Sequence, residues 1–139
     1  MKKFIFSLLL ASQTIISFAQ TDAKPFKGYI YNKEYEVYIQ MDFYAQKILV
    51  PGQEILGEVA GYFGDKHDGR KWLFTSADVK GKSAHLAITN DYGSEDLKAS
   101  LTQTSDSTFE LKQLEGSTLK IARNRKWVKM PKSLIFQRK

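Results

Sequence analysis

The most regular feature of the chain is a strict alternation of apolar and polar residues in its first third. One face of this stretch carries a set of apolar or aromatic residues, namely Tyr35, Val37, Ile39, Met41 and Phe43. Successive side chains of a β-strand point to opposite faces, so the pattern predicts a strand with one buried and one wet face. A β-prone run at residues 28–31 precedes it, and Asn32 and Lys33 between the runs favour a hairpin turn.

Shorter alternating or β-prone segments follow along the rest of the chain. They predict further strands at residues 55–63, 71–77, 83–89, 97–102, 109–112, 119–122 and 133–137. Residues with turn propensity, such as Pro51-Gly52 and Glu115-Gly116-Ser117, separate these segments. The sequence has no apolar stripe at helical spacing, although residues 45–53 have room for one helical turn.

The number and spacing of these segments predict an all-β, mainly antiparallel domain. Closure into a barrel removes exposed strand edges, and the short connections fit an up-and-down strand order. We therefore expect a single antiparallel barrel of about eight strands. A β-sandwich of two sheets stays open as the alternative.

The order of features along the chain resembles that of small exported lipocalin-like barrels of the calycin type. These features are a β-prone stretch with a glycine at residues 26–29, successive hairpins, and Trp72 in a middle strand. Gly28 is followed by Tyr29 and Ile30 rather than by the Gly-x-Trp motif of that family, so no ligand residue is carried over. The resemblance implies the barrel architecture.

The first nineteen residues have the order of parts found in a secretory signal peptide. Lys2 and Lys3 precede an apolar run, and Ser17 and Ala19 are small residues before Gln20. We expect cleavage after Ala19, a single β domain over residues 20–139, and no transmembrane segment in the mature chain. Periplasmic, outer-membrane-associated and secreted locations all stay open.

Composition narrows the chemistry that the chain can support. The sequence has no cysteine, which excludes disulfides, thiolate zinc sites and cysteine nucleophiles. An exported chain without cysteine is typical of a Gram-negative envelope. His67 and His85 are the only histidines, and the Asp65–Asp68 stretch fits ordinary turn chemistry better than a metal loop. We expect no catalytic residue, no metal and no cofactor.

The buried phase of the predicted strands suggests a ligand site inside a barrel. An apolar lumen suits a small hydrophobic or amphipathic ligand, and tyrosines on the first strands suit its entrance. The leading hypothesis is therefore a non-catalytic exported binding module. Its ligand-lining residues are predicted to be Tyr35, Val37, Ile39, Met41, Phe43, Trp72 and Phe74.

The distribution of charge suggests a second hypothesis, an envelope interaction or inhibitor protein. The chain has a net charge of +6, and residues 120–139 carry eight bases and no acid. A basic surface that includes a tryptophan suits an anionic envelope component or protein partner, while export argues against nucleic acid. The predicted contact residues are Arg123, Arg125, Lys126, Trp127, Lys129 and Lys132.

Overall fold

Strands form most of the chain in the computed structural model, which describes residues 24–139. The signal peptide predicted over residues 1–19 lies outside the described residues. A short 3-10 helix spans Glu54–Leu56. The strands are β1 Lys27–Asn32, β2 Val37–Asp42, β3 Ile48–Leu49, β4 Glu58–Val59, β5 Gly61–Asp65, β6 Asp68–Lys80, β7 Ser83–Asn90, β8 Asp96–Gln103, β9 Thr108–Gly116, β10 Lys120–Arg123, β11 Lys126–Lys129 and β12 Ser133–Arg138.

Eight of these strands close into an antiparallel barrel in the order β1-β12-β9-β8-β7-β6-β5-β2. Each strand therefore pairs with the next barrel strand along the chain, and β12 returns to β1. This confirms the predicted all-β, up-and-down barrel over the sandwich alternative. Among residues 24–139, no helix is long and apolar enough to cross a membrane.

The alternation in the sequence decides which side chains enter the barrel. In β2 the buried residues Val37, Ile39 and Met41 alternate with half-buried ones that point outward. The interior is one apolar cluster to which every barrel strand contributes. Its largest fully buried members are Phe26, Phe63, Phe74, Phe109, Phe136, Ile30, Ile39, Met41, Ile88, Leu101, Leu111 and Leu119.

Two insertions interrupt the simple strand order. The first, residues 44–59, contains β3, the 3-10 helix and β4, and its buried residues Val50 and Val59 pack in a cluster separate from the barrel interior. The second is the β10–β11 hairpin between β9 and β12. We call these segments the outer loop and the hairpin.

The prediction of a single strand over residues 55–63 is wrong for the first half of that range. Residues 54–56 form the 3-10 helix, and Gly57 has a φ of 84° that most side chains disfavour. The regular strand begins at Gly61, where an added Cβ would lie 2.5 Å from the carbonyl oxygen of Gln40. The glycines therefore separate a bend from a strand that runs very close to β2.

The two ends of the barrel are closed differently. Turns β1–β2, β5–β6 and β7–β8 meet the hairpin at one end, which we call the hairpin end. At the opposite end, Phe26 stacks on Phe43 with ring centroids 5.5 Å apart and meets Phe109 edge-on at 5.9 Å. Both ends are therefore closed by apolar side chains joined to the interior cluster.

Candidate functional site

The seven residues predicted to line a ligand site lie in or against the barrel interior. Six of them are buried members of the main apolar cluster, and Tyr35 packs on its edge. The six buried residues are Val37, Ile39, Met41, Phe43, Trp72 and Phe74. Phe43 and Phe74 meet edge-on with centroids 6.1 Å apart, so these side chains contact one another.

Space for a ligand lies mainly outside the barrel. Larger grooves of the described residues open on the outer surface and at the barrel rims, as in the groove of about 690 Å³ beside Tyr31 and Ile135. The crevice between the hairpin and the walls at Phe63 and Trp72 has a volume of only about 10 Å³. Such a volume is at the lower limit for one water molecule. The side chains of the main apolar cluster lie in the barrel interior, so a ligand there would contact them.

The hairpin has two chemically different faces because its residues also alternate. Ile121 and Val128, which are opposite one another, point toward the interior cluster, as do Leu119 and Met130 at the base of the hairpin. Trp127 lies opposite Ala122 on the outward face. The indole of Trp127 is 57% exposed. The hairpin is therefore anchored by one face and presents the other to solvent.

The outward face concentrates positive charge around this indole. The guanidinium carbon of Arg70 lies 4.9 Å from the ring centroid of Trp127, and the Nζ of Lys120 lies 5.7 Å from it. Lys120 is directly opposite Lys129 in the hairpin ladder. Like charges in that arrangement destabilise a β ladder, and a nearby anion offsets the effect. Glu95 supplies part of this offset, since it pairs with Lys120 at 3.0 Å.

The tip of the hairpin has a backbone conformation that its residues disfavour. Asn124 and Arg125 form the two-residue turn, with φ values of 52° and 65°. Two positive φ angles are required by a type I′ turn, for which Asn-Gly is the preferred pair. Arginine at the second position costs conformational energy, and its side chain is exposed at the tip.

Arg123 is placed differently from the other predicted contact residues. Its guanidinium binds both carboxylate oxygens of Asp65, at 2.5 and 2.9 Å, and donates to the carbonyl oxygen of Tyr35 at 2.8 Å. The Asp65 side chain is only 5% exposed. The hydrogen bonds with Asp65 raise the pKa of Arg123, against a smaller opposing effect of burial. Arg123 therefore fixes the hairpin to turns β1–β2 and β5–β6.

The remaining predicted contact residues are exposed. Arg125 and Lys126 lie at the hairpin tip, Lys129 ends β11, and Lys132 follows it. None of these four forms an ion pair within residues 24–139. We call the residues at the tip and around the indole the hairpin surface, which consists of Arg70, Lys120, Arg125, Lys126, Trp127 and Lys129.

Two residues important for this surface were missed by the sequence analysis. Arg70 lies in β6 and reaches Trp127 only through the fold. Gln113 fixes the base of the hairpin, because its side chain accepts from the backbone N–H of Leu119 at 2.7 Å and donates to the carbonyl oxygen of Pro131 at 2.9 Å. No pattern in the sequence signals either contact.

The histidines lie on the outside of the fold. His67, in turn β5–β6, contacts the carboxylate of Glu36, and both side chains are about half exposed. His85 is exposed on the outer face of β7. Within residues 24–139, no group of three or more histidine or acidic side chains is arranged to hold a metal ion.

The tyrosines of the first strands form an outward stack. The rings of Tyr29 and Tyr38 stack at 5.3 Å, and Tyr62 meets Tyr38 edge-on at 6.1 Å. Burial, followed by the neighbouring tyrosines, raises the pKa of Tyr38 to about 12. An added Cβ on Gly64 would lie 2.4 Å from the Tyr38 ring. Tyr38 thus covers Gly64 on the wall.

Comparisons of the chain with protein families, with curated proteins and with solved structures find no match.

Proposed function

We propose that the protein is an exported, non-catalytic binding module that contacts an anionic partner through the hairpin surface. The contrast within the hairpin supports this proposal. One face is fixed to the barrel by apolar packing and by Arg123, while the other holds an exposed indole among cations. A rigid support with outward-facing bases favours electrostatic recognition, since little conformational freedom is lost on binding.

The observation that carries the proposal is Arg125 at a positive φ angle in the hairpin turn. Glycine at this position would remove the strain of a left-handed side chain. We therefore expect opposite effects of Arg125→Gly on stability and on binding. The free energy of unfolding should rise by about 1 kcal/mol, while affinity for an anionic partner should fall.

Chromatography of the mature protein on immobilised heparin tests the proposed contact. Heparin serves here as a polyanion that is not part of a membrane. Wild type should be retained at low salt and released near 0.5 M salt, because screening weakens contacts between exposed charges. The double variant Arg125→Ala/Lys129→Ala should elute much earlier. Its matched control is Lys80→Ala/Lys82→Ala, which removes two exposed lysines around turn β6–β7 at the opposite barrel end.

Equal loss in the two double variants would contradict the proposal, since net charge alone would then explain retention. Retention that is insensitive to salt would contradict it as well. A stabilised Arg125→Gly variant with unchanged retention would remove the functional explanation of the strained turn.

The proposal includes export to a Gram-negative envelope and a lipocalin-like relationship. The order of residues 1–19 supports export, and the closed eight-stranded up-and-down barrel supports the relationship. Detection of a mature chain that begins at Gln20 in the envelope fraction of the native host tests the first part. An uncut chain in the cytosol would contradict it.

A small hydrophobic or amphipathic ligand inside the barrel is the second candidate function. The apolar lining of a closed barrel favours it, with the same seven residues as contacts. The hairpin and the Phe26 cluster cover the two ends of the barrel, so entry of a ligand requires one of them to move. Native mass spectrometry of protein purified from its own envelope tests this, and a co-purified small molecule lost in a Phe74→Ala/Met41→Ala variant would support it. An unliganded mass for the wild type would contradict it.

A further inference from the structure

A second exposed aromatic side chain lies at the hairpin end of the barrel. Tyr92, in the turn between β7 and β8, is 78% exposed. The Lys120–Glu95 ion pair joins that turn to the hairpin, so Tyr92 and Trp127 belong to neighbouring segments of one barrel end. Each of these two exposed residues has an apolar ring with one polar group, a combination that is frequent at contact surfaces.

Five carboxylates of this end contact groups within the protein, while Glu34, Asp96 and Glu115 are exposed and form no ion pair within residues 24–139. Asp68 pairs with Arg70 at 3.2 Å, Glu95 pairs with Lys120, and Asp65 binds Arg123. Asp91 accepts from the backbone N–H of Lys71 at 3.3 Å, and Glu36 contacts His67. Arg125, Lys126 and Lys129 form no ion pair in the described part of the chain and carry the uncompensated charge.

The crevice beside Trp127 has no room for a compact ligand. The crevice next to Trp127 holds only about 10 Å³, so an anion or a sugar ring would find no enclosing walls there. An extended anionic surface has no need of a cleft. The positive charge and the small volume of this crevice therefore favour a partner with an extended anionic surface.

We propose that the hairpin end docks on the anionic headgroup layer of a membrane, which names the partner class of the proposed function and rests on it. Arg125, Lys126 and Lys129 contact phosphate groups, and Trp127 and Tyr92 enter the boundary between headgroups and acyl chains. Tryptophan and tyrosine favour that boundary because each ring has an apolar body and a polar atom. Basic residues near an anionic leaflet add an attraction that salt screens.

Flotation of the mature protein with lipid vesicles tests this inference. Vesicles of phosphatidylcholine with phosphatidylglycerol should bind the protein at low salt and release it near 0.5 M salt. Vesicles of phosphatidylcholine alone should not bind. Tyr92→Ser should weaken vesicle binding roughly 3- to 10-fold, as expected for removal of an interfacial aromatic ring. The matched control Leu49→Ser, which changes an exposed apolar residue on the outer loop, should leave it unchanged.

Fluorescence gives a second readout, because Trp72 and Trp127 are the only tryptophans. In a Trp72→Phe variant, the emission of Trp127 should shift to the blue with anionic vesicles and be quenched by brominated acyl chains. If the Trp72→Phe variant folds poorly, flotation of the wild type still tests the inference. Binding to heparin without binding to vesicles would overturn this inference and leave the proposed function standing. Vesicle binding without a change in Trp127 emission would also overturn the inference. If the protein bound neither heparin nor vesicles, both proposals would be overturned.

Discussion

The outer loop and the hairpin are both insertions into the same barrel, but they are attached to it in different ways. The outer loop lies against the outside of the wall, where Val50 and Val59 pack on Tyr62 and Leu73 in a small separate cluster. The hairpin lies across the mouth and adds its apolar face to the main interior cluster. An insertion can therefore be an addition to the wall or part of the core.

This difference has consequences for exposure and rigidity. The outer loop leaves Leu49, Ile55 and Leu56 exposed, since its cluster buries only part of its apolar residues. The hairpin packs its apolar residues other than Trp127 against the core and is further held by the Arg123–Asp65 pair and by Gln113. A surface that must keep charges in fixed positions is better placed on the hairpin.

The largest difference in stability between the insertions is expected from the Arg123–Asp65 ion pair, which has no counterpart in the outer loop. Arg123→Ala leaves the buried carboxylate of Asp65 without its partner, and removal of one member of a buried pair costs about 3–5 kcal/mol. The expected loss is near 3 kcal/mol, because Arg123 is partly exposed. Urea unfolding measures it. Arg70→Ala is the control, since its ion pair with Asp68 is more exposed and should contribute at most about 1 kcal/mol.

Truncation of one buried apolar residue in each insertion compares their coupling to the barrel. Leu119→Ala opens space in the main core and should lower the free energy of unfolding by about 3 kcal/mol. Val50→Ala, in the outer cluster, should lower it by about 1–2 kcal/mol. Both residues are fully buried, so exposure does not explain the difference. Equal losses in urea unfolding would contradict the distinction between the two attachments.

The smallest expected effect is a pH dependence on the side of the outer loop. The pKa of Tyr38 is raised to about 12 from 10.0, so the fold favours the neutral phenol. That contribution is complete below pH 10 and is lost as the pH rises through about 12. The urea midpoint should fall over this range, and it should fall less in Tyr38→Phe. The residual fall is expected from Tyr29 and Tyr62, whose pKa values burial also raises.

The sequence predicts those parts of the fold that depend on local alternation. The residues of β2, β7 and β8 alternate between buried and exposed positions, and the barrel follows from the number and spacing of such strands. Strand β11 was not predicted, because Lys126 and Lys129 make its four residues resemble a solvated charge run. Gly57 and Gly61 lie inside the strand predicted over residues 55–63, and the apolar pattern does not show where that stretch bends.

The site depends on contacts between residues far apart in the chain, and these leave no local pattern. Arg123 and Asp65 are 58 residues apart, so nothing near Arg123 in the sequence distinguishes it from Arg125. The alternation within the hairpin could have done so, since Arg123 shares the phase of the buried Ile121. This argument requires that the short hairpin be recognised first, and the charged residues of its second strand, β11, concealed it.

The joint between β1 and β12 determines when the barrel can become complete. Asn32 reaches the carbonyl oxygen of Ile135 across 103 residues, and Arg138 donates to the carbonyl oxygens of Lys27 and Pro25. Until β12 is available, β1 and β9 are two open sheet edges that can pair with other chains. Closure of the barrel therefore requires β12, and a chain in which β12 is not yet paired keeps two strand edges open to unwanted partners.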